Sequence, residues 1–156
     1  MMPIIRRFIE EAGNTTQSLG LGRVAGQLYA YLYFSDVPRS LADMQKALGI
    51  SKGSASMTVR QLEQWGAVRK VWVKGDRKDF YEADTWFGKI LKNVAADIIG
   101  RRLRAYADLL ENIEKILENE KNGDDKFIRG QLKKIQDFHK RLQAIWDNPF
   151  VKEMLK

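Results

Sequence analysis

The chain contains no cysteine, a single histidine at His139 and only three prolines. Without thiols there is no disulfide framework and no thiolate chemistry, and zinc sites built from Cys/His clusters are excluded. No stretch of about 18 uncharged apolar residues occurs, so a membrane-spanning helix is not expected. Residues 1–11 lack the apolar run of a secretion signal. These absences lead to the expectation of a soluble, cytoplasmic protein without cofactors. Its 156 residues are enough to bury a core by ordinary packing.

Basic residues are plentiful. Lys and Arg number 27 against 20 Asp and Glu, a net charge of +7 that favours polyanionic partners. The excess is concentrated. Between Lys52 and Lys78 there are seven basic residues (Lys52, Arg60, Arg69, Lys70, Lys74, Arg77, Lys78) and two acidic ones, Glu63 and Asp76.

Periodicity divides the chain into mostly helical segments. Pro3 suits a first helical turn, and Ile5, Phe8, Ile9 and Ala12 form one apolar stripe that is expected to stop at Gly13. The Asn, Thr, Ser and Gly of residues 14–22 suggest a loop. Val24, Leu28, Tyr31 and Leu32 restart helical spacing. Ser40 is placed to cap a helix with Leu41, Met44 and Leu48 inside, ended by Gly49, and Ser51 to cap another with Ala55, Val59 and Leu62 inside, ended by Gly66. Two short helices joined at Gly49-Ile50 form a helix-turn-helix. Residues 68–73 and 80–83 then suit a β-hairpin whose tip is Lys74-Gly75-Asp76-Arg77-Lys78-Asp79.

Beyond the hairpin, Thr85 is a candidate cap for a long helix carrying Phe87, Leu91, Val94, Ile98, Tyr106, Leu110, Ile113 and Leu117 on one side as far as about Lys121, with Gly100 a candidate bend. Asn122-Gly123-Asp124-Asp125 reads as a turn. A final helix carries Ile128, Leu132, Ile135, Phe138, Leu142 and Ile145, and ends near Asn148-Pro149. A helix of about 36 residues would be about 54 Å long, more than a small globule can cover, so a second subunit is the natural cover. The reading is a mainly α protein with a small β wing, in which residues 21–85 form a winged helix-turn-helix domain. Residues 1–20 and residues 86–156, the latter a helical hairpin, flank it as dimerisation elements.

In such a domain the second helix enters the major groove. With Ala55, Val59 and Leu62 inside, Lys52, Ser54, Ser56, Met57 and Arg60 are left to face out. Lys52 and Arg60 can reach phosphate or guanine, Met57 offers an apolar contact to a thymine methyl, and Gly53 with the serines permits close approach. Lys74, Arg77 and Lys78 at the hairpin tip suit the flanking groove and backbone, where Arg77 meets concentrated negative potential and Asp76 is placed to orient it. A solvated helix face and a merely solubilising basic turn are the bland alternatives; the succession of the two features argues against both.

At these residues the chain resembles the MarR superfamily of winged-helix repressors, most closely its GbsR-like branch. The likeness lies in Gly22-Arg23-Val24-Ala25-Gly26, in Gly49-Ile50-Ser51-Lys52-Gly53-Ser54-Ala55-Ser56-Met57, in Leu62-Glu63-Gln64-Trp65-Gly66 and in Gly75-Asp76-Arg77-Lys78-Asp79-Phe80-Tyr81-Glu82, all within roughly residues 20–85. The resemblance implies an obligate homodimer on a palindromic operator in double-stranded DNA, with the terminal helices as interface. It further implies a small-molecule effector such as a quaternary ammonium compound, which an aromatic cage would hold; Trp86, Phe87, Tyr106 and Trp146 lie in or beside the expected dimer helices, where aromatic residues at helical spacing are more often core, and no cage walls are assigned.

Enzymatic chemistry finds no support in the residues. Gly20, Gly22 and Gly26 miss the dinucleotide spacing and follow no strand. His139 stands beside Phe138 with no serine in a nucleophile context. Glu111, Glu114 and Glu118 alternate with Lys115 and Lys121 as on a solvated helix face. The competing reading is a winged-helix protein interaction module without specific DNA binding.

Overall fold

A computed structural model describes residues 1–119 and 126–154. The chain divides into two compact units, Met1–Leu91 and Lys92–Lys156. The first holds α1 (Pro3–Ser18), α2 (Arg23–Tyr33), β1 (Arg39–Ser40), α3 (Leu41–Leu48), α4 (Lys52–Gln64), β2 (Val68–Val71), β3 (Phe80–Ala83) and the first turn of α5 (Phe87–Asn119). The rest of α5, α6 (Lys126–Asp147) and α7 (Pro149–Met154) belong to the second. The architecture is mainly helical with a three-stranded antiparallel sheet in the order β1-β3-β2, as the expected fold class requires.

The first unit has a continuous core. Leu28, Met44 and Val59, from α2, α3 and α4, are almost wholly buried and are joined by Leu32, Ala55, Leu62, Trp65 and Val68. The expected caps position these helices. Ser40 Oγ accepts from Asp43 N at 3.3 Å while Asp43 Oδ2 accepts from Ser40 N at 2.8 Å, a reciprocal capping box at the start of α3. Those bonds hold the Asp43 carboxyl below its usual range. Gly49 closes α3 at φ +65° and Gly66 follows α4 at φ +68°, in the left-handed region that favours glycine.

One expectation fails at Gly13. α1 does not stop there but runs on to Ser18, through the segment expected to be loop. Gly13 is instead a crossing point. A Cβ on Gly13 would come within 2.7 Å of Gln27 Cγ, and one on Gly26 within 2.1 Å of the Ala12 carbonyl oxygen, so the two glycines let the backbones of α1 and α2 touch. Thr16 Oγ1 ties the crossing, donating to Gly22 O at 2.9 Å and accepting from Gly26 N at 3.2 Å. Arg23 of α2 pairs with Glu10 of α1.

Other boundaries also shift. β1 was not anticipated: its two residues pair Arg39 with Tyr81 and Ser40 with Phe80. α5 begins at Phe87, beyond Thr85, and the group ahead of it is Asp84, whose Oδ1 accepts from Trp86 N at 2.8 Å. α5 continues through Gly100, which is buried. α6 is followed by a short α7 with Pro149 at its first position, where a missing N–H costs nothing. The expected turn at residues 122–125 and the helix end near Lys121 lie outside the described residues.

In the second unit α5 and α6 run antiparallel, since Leu103 O, Glu114 and Leu117 O meet His139, Gln136 and Arg129 in reverse order. His139 is buried, its Nε2 2.8 Å from Leu103 O, a structural role for the single histidine. An apolar groove of about 450 Å³ with Ile99, Tyr106, Phe138 and Leu142 in its walls lies between the helices. No described helix is long and apolar enough to cross a membrane, and no described cluster of His, Asp and Glu could hold a metal ion.

Candidate nucleic-acid interface

α4 is held by its inner face and free on its outer one. Ala55, Val59 and Leu62 are buried, which fixes the helix's rotation. Ser51 Oγ accepts from Ser54 N at 3.1 Å and caps the leading end. Lys52, Met57 and Arg60 are then exposed, Met57 to 74 %, whereas Ser54 and Ser56 are half-buried at the margins of the same face. Gly53 leaves this end bare. A Cβ there would meet only Ser51 Oγ at 3.9 Å, so nothing in the protein's own packing demands the glycine.

The wing of the same unit carries a second set of cations. β2 and β3 place Val68 opposite Ala83 and Val71 opposite Phe80, leaving residues 72–79 as the connecting loop. Lys74, Arg77 and Lys78 are all exposed there. Gly75 turns the loop at φ +87°. Asp76 has a different role from the one expected of it: its Oδ1 accepts from Lys78 N at 2.9 Å, so it shapes the loop backbone instead of orienting Arg77.

Electrostatics sorts the seven basic residues of this stretch into two classes. Arg69 faces Glu82 across the ladder, Nε to Oε1 2.6 Å, and Lys70 Nζ lies 2.7 Å from Asp79 Oδ1, which pushes the lysine's pKa up. Both are committed to the hairpin. Lys52, Arg60, Lys74, Arg77 and Lys78 make no ion pair among the described residues. The five unneutralised cations are therefore all residues that the sequence pattern selects for contact, on two consecutive elements of one unit.

A feature the sequence reading missed is Trp72. It lies just past the end of β2 and is 78 % exposed. A strand over 68–73 hides this, because a tryptophan between Val71 and Val73 looks like part of a packed face; the ladder ends at Val71 and releases it. The indole offers flat apolar area two residues before Lys74.

The aromatic residues named beside the flanking helices fall in both units. Trp86 and Phe87 belong to the first unit, Tyr106 and Trp146 to the second. Phe87 closes an aromatic cluster with Tyr29 and Tyr33, ring centroids 6.5 and 5.6 Å away. Tyr29 donates to Asp84 O at 2.8 Å, and burial together with Tyr33 and Asp84 pushes its phenol up to about 12. Lys89 Nζ already sits 5.8 Å from the Trp86 ring centre.

No family model matches the chain. Among curated proteins it is 32% identical over 108 residues to the HTH-type transcriptional regulator MmpR5 of Mycobacterium tuberculosis, an alignment that covers 69% of this chain and 61% of that protein. It is 26% identical over 143 residues to the HTH-type transcriptional repressor GbsR of Bacillus subtilis, covering 89% of this chain and 78% of GbsR. The match to MmpR5 thus spans less than two thirds of that relative's length. Among solved structures, that of a transcriptional regulator superposes with a TM-score of 0.58 at 24% identity, over 99% of this chain and 100% of the other.

Proposed function

We propose that this chain, whose fold is a winged helix-turn-helix with flanking helices, is a MarR-like, sequence-specific DNA-binding transcriptional regulator, a repressor, that grips a palindromic operator as a homodimer. The observation that carries this reading is the sorting of charge between Lys52 and Lys78: of the seven basic residues there, Arg69 and Lys70 of the first hairpin strand are in ion pairs, while Lys52 and Arg60 of α4 and Lys74, Arg77 and Lys78 of the wing loop are in none among the described residues. In this reading α4 lies in the major groove, where Lys52, Ser54, Ser56, Met57 and Arg60 meet base edges and adjoining phosphates. Lys74, Arg77 and Lys78 hold the flanking groove and backbone, and Trp72 packs flat against deoxyribose at the same margin.

The dimer rests on apolar surface. Phe8 of α1 and Ile135, Phe138, Leu142 and Ile145 of α6 are exposed in the single chain. Apolar side chains left exposed along helices in this number mark an association site, and a two-fold partner would present the same stripes in return. Dimerisation sets half-site spacing at about one helical turn of DNA, roughly 10–10.5 base pairs or a multiple.

Fluorescence anisotropy with short duplexes tests the function against that of a protein docking module. DNA binding should weaken log-linearly with salt, with a slope of about −0.9 per phosphate neutralised. Arg77→Ala should lower that slope by about one unit per lost contact, with two wings per dimer. A salt-independent affinity, or an unchanged slope in folded Arg77→Ala, would remove the wing from the contact surface.

A further inference from the structure

Asp84 stands where the wing ends and the approach to α5 begins, and it bonds in three directions. Its N–H donates to Ala67 O at 2.8 Å, its own carbonyl oxygen accepts from Tyr29 Oη at 2.8 Å, and its Oδ1 accepts from Trp86 N at 2.8 Å. Each bond reaches a different part of the first unit: the turn between α4 and β2, the body of α2, and the residue before α5. The first of them leads on to α4, because Ala67, 1 % exposed, donates its own N–H to Leu62 O at 2.8 Å. Two backbone hydrogen bonds therefore join the last turns of α4 to the segment that leads into α5.

Aromatic rings close the same junction. Phe87, the first residue of α5, has its ring centroid 6.5 Å from that of Tyr29 and 5.6 Å from that of Tyr33, and the two tyrosines are 6.2 Å apart. Ring pairs at these separations favour particular angles, so they hold the first turn of α5 against α2. Phe87 remains 54 % exposed, so the contact fixes a direction more than it builds a core. Burial pushes the Tyr29 phenol up to about 12, and the donor to Asp84 persists across ordinary pH.

We propose that this junction sets operator spacing: Tyr29 and Asp84 are positioning residues that fix the direction in which α5 leaves the domain carrying α4, and with it the separation of the two α4 helices in the homodimer. The inference rests on the reading of the protein as a DNA-binding dimer. α5 is one continuous helix of 33 residues, about 50 Å long, so a tilt of about 10° in its first turn displaces its far end by roughly 9 Å. That exceeds the rise of one base pair, about 3.4 Å. Neither residue touches DNA in this account; both act through the helix they anchor.

The test is fluorescence anisotropy of the full chain on the palindrome that the wild type selects, and on duplexes whose half-site spacing is longer or shorter by one base pair, a change of about a tenth of a helical turn. The wild type should bind the altered spacings at least tenfold more weakly. Tyr29→Phe keeps the ring and removes the donor, and Asp84→Ala removes the acceptor for Trp86 N. Each should cut the spacing penalty to about threefold while half-site base preference stays as in the wild type. Asp84→Asn keeps an acceptor oxygen and should behave as the wild type. A variant that is merely less well folded loses affinity for every duplex alike and leaves the ratio between spacings unchanged. An undiminished penalty in either folded variant, or a lost one in Asp84→Asn, would overturn the proposal, as would a wild type indifferent to spacing on the palindrome it selects. A wild type that selects no palindrome contradicts the DNA-binding reading itself, and the proposal falls with it.

Discussion

The two units of this chain bury their apolar residues very differently. In Met1–Leu91 the core runs through every helix that positions α4, from Ile9 and Leu28 through Met44 and Val59 to Trp65 and Tyr81. In Lys92–Lys156 the buried described hydrophobics are Leu110 and Leu117, while Ile99, Tyr106, Leu109, Ile116, Ile135, Phe138 and Ile145 remain exposed. Both carry amphipathic helices, so the contrast is one of cover and not of pattern. A helix face buries only against something, and α5 and α6 together have more apolar face than two helices can bury in each other. The first unit buries a continuous core within one chain, whereas the second leaves most of its large apolar residues exposed, the surface that the proposed dimer would cover.

Polar substitutions inside the two regions should separate these situations most strongly. Val59, 1 % exposed, is in the first core, and Val59→Asp buries an unpaired carboxylate at a cost on the order of 5 kcal/mol, a large part of a domain's whole stability. Loss of the cooperative circular-dichroism melt is expected. Phe138→Asp, at a position 62 % exposed in the single chain, should leave helicity nearly intact but shift sedimentation from dimer to monomer at micromolar concentration. A wild-type chain that sediments as a monomer, or a Phe138→Asp chain that stays dimeric, would break the comparison.

The α1–α2 crossing predicts a smaller effect. Gly26→Val forces a side chain onto the Ala12 carbonyl oxygen and should cost about 3 kcal/mol by overpacking, read as a lowered denaturation midpoint. An unaffected midpoint would mean that the two backbones are not in contact there.

The capping box of α3 is the smallest. Ser40→Ala removes the hydroxyl that accepts Asp43 N–H and should cost about 1 kcal/mol. Asp43 supplies the pH-dependent half of the box. Its folded pKa is depressed by the Ser40 bonds, so its contribution is fully present above the unfolded value of about 3.9 and is lost as pH falls through the lower folded one. The stability advantage of wild type over Asp43→Asn should therefore be constant near neutrality and vanish in acid. An advantage that persists below both values would remove the carboxylate from the account.

These effects track what was legible in the sequence. Ser40, Gly49, Ser51 and Gly66 announce their helix ends because capping is local: hydroxyl, left-handed glycine and the groups they serve lie within a few residues. The outward set on α4 follows from Ala55, Val59 and Leu62 alone. Gly13 misleads because a glycine before a polar stretch has the form of a helix stop, whereas its purpose, contact with α2, depends on residues ten or more positions away. β1 is illegible for a similar reason, since Arg39 and Ser40 become a strand only by pairing with Tyr81 and Phe80. The pairing of Lys70 with Asp79 and Arg69 with Glu82 is likewise set by hairpin register, and it narrows seven basic residues to five.

Whether α4 reads sequence while the wing supplies grip is decided by a random-sequence binding selection on the wild-type protein and its Arg60→Ala variant. The wild type should return a palindrome with half-sites about one helical turn apart. Arg60→Ala should return the same palindrome with discrimination flattened at one base pair per half-site, equivalent to roughly 1–3 kcal/mol if the lost contact is bidentate to guanine. No enriched sequence for the wild type, or an Arg60→Ala motif of undiminished information, would contradict that division of roles.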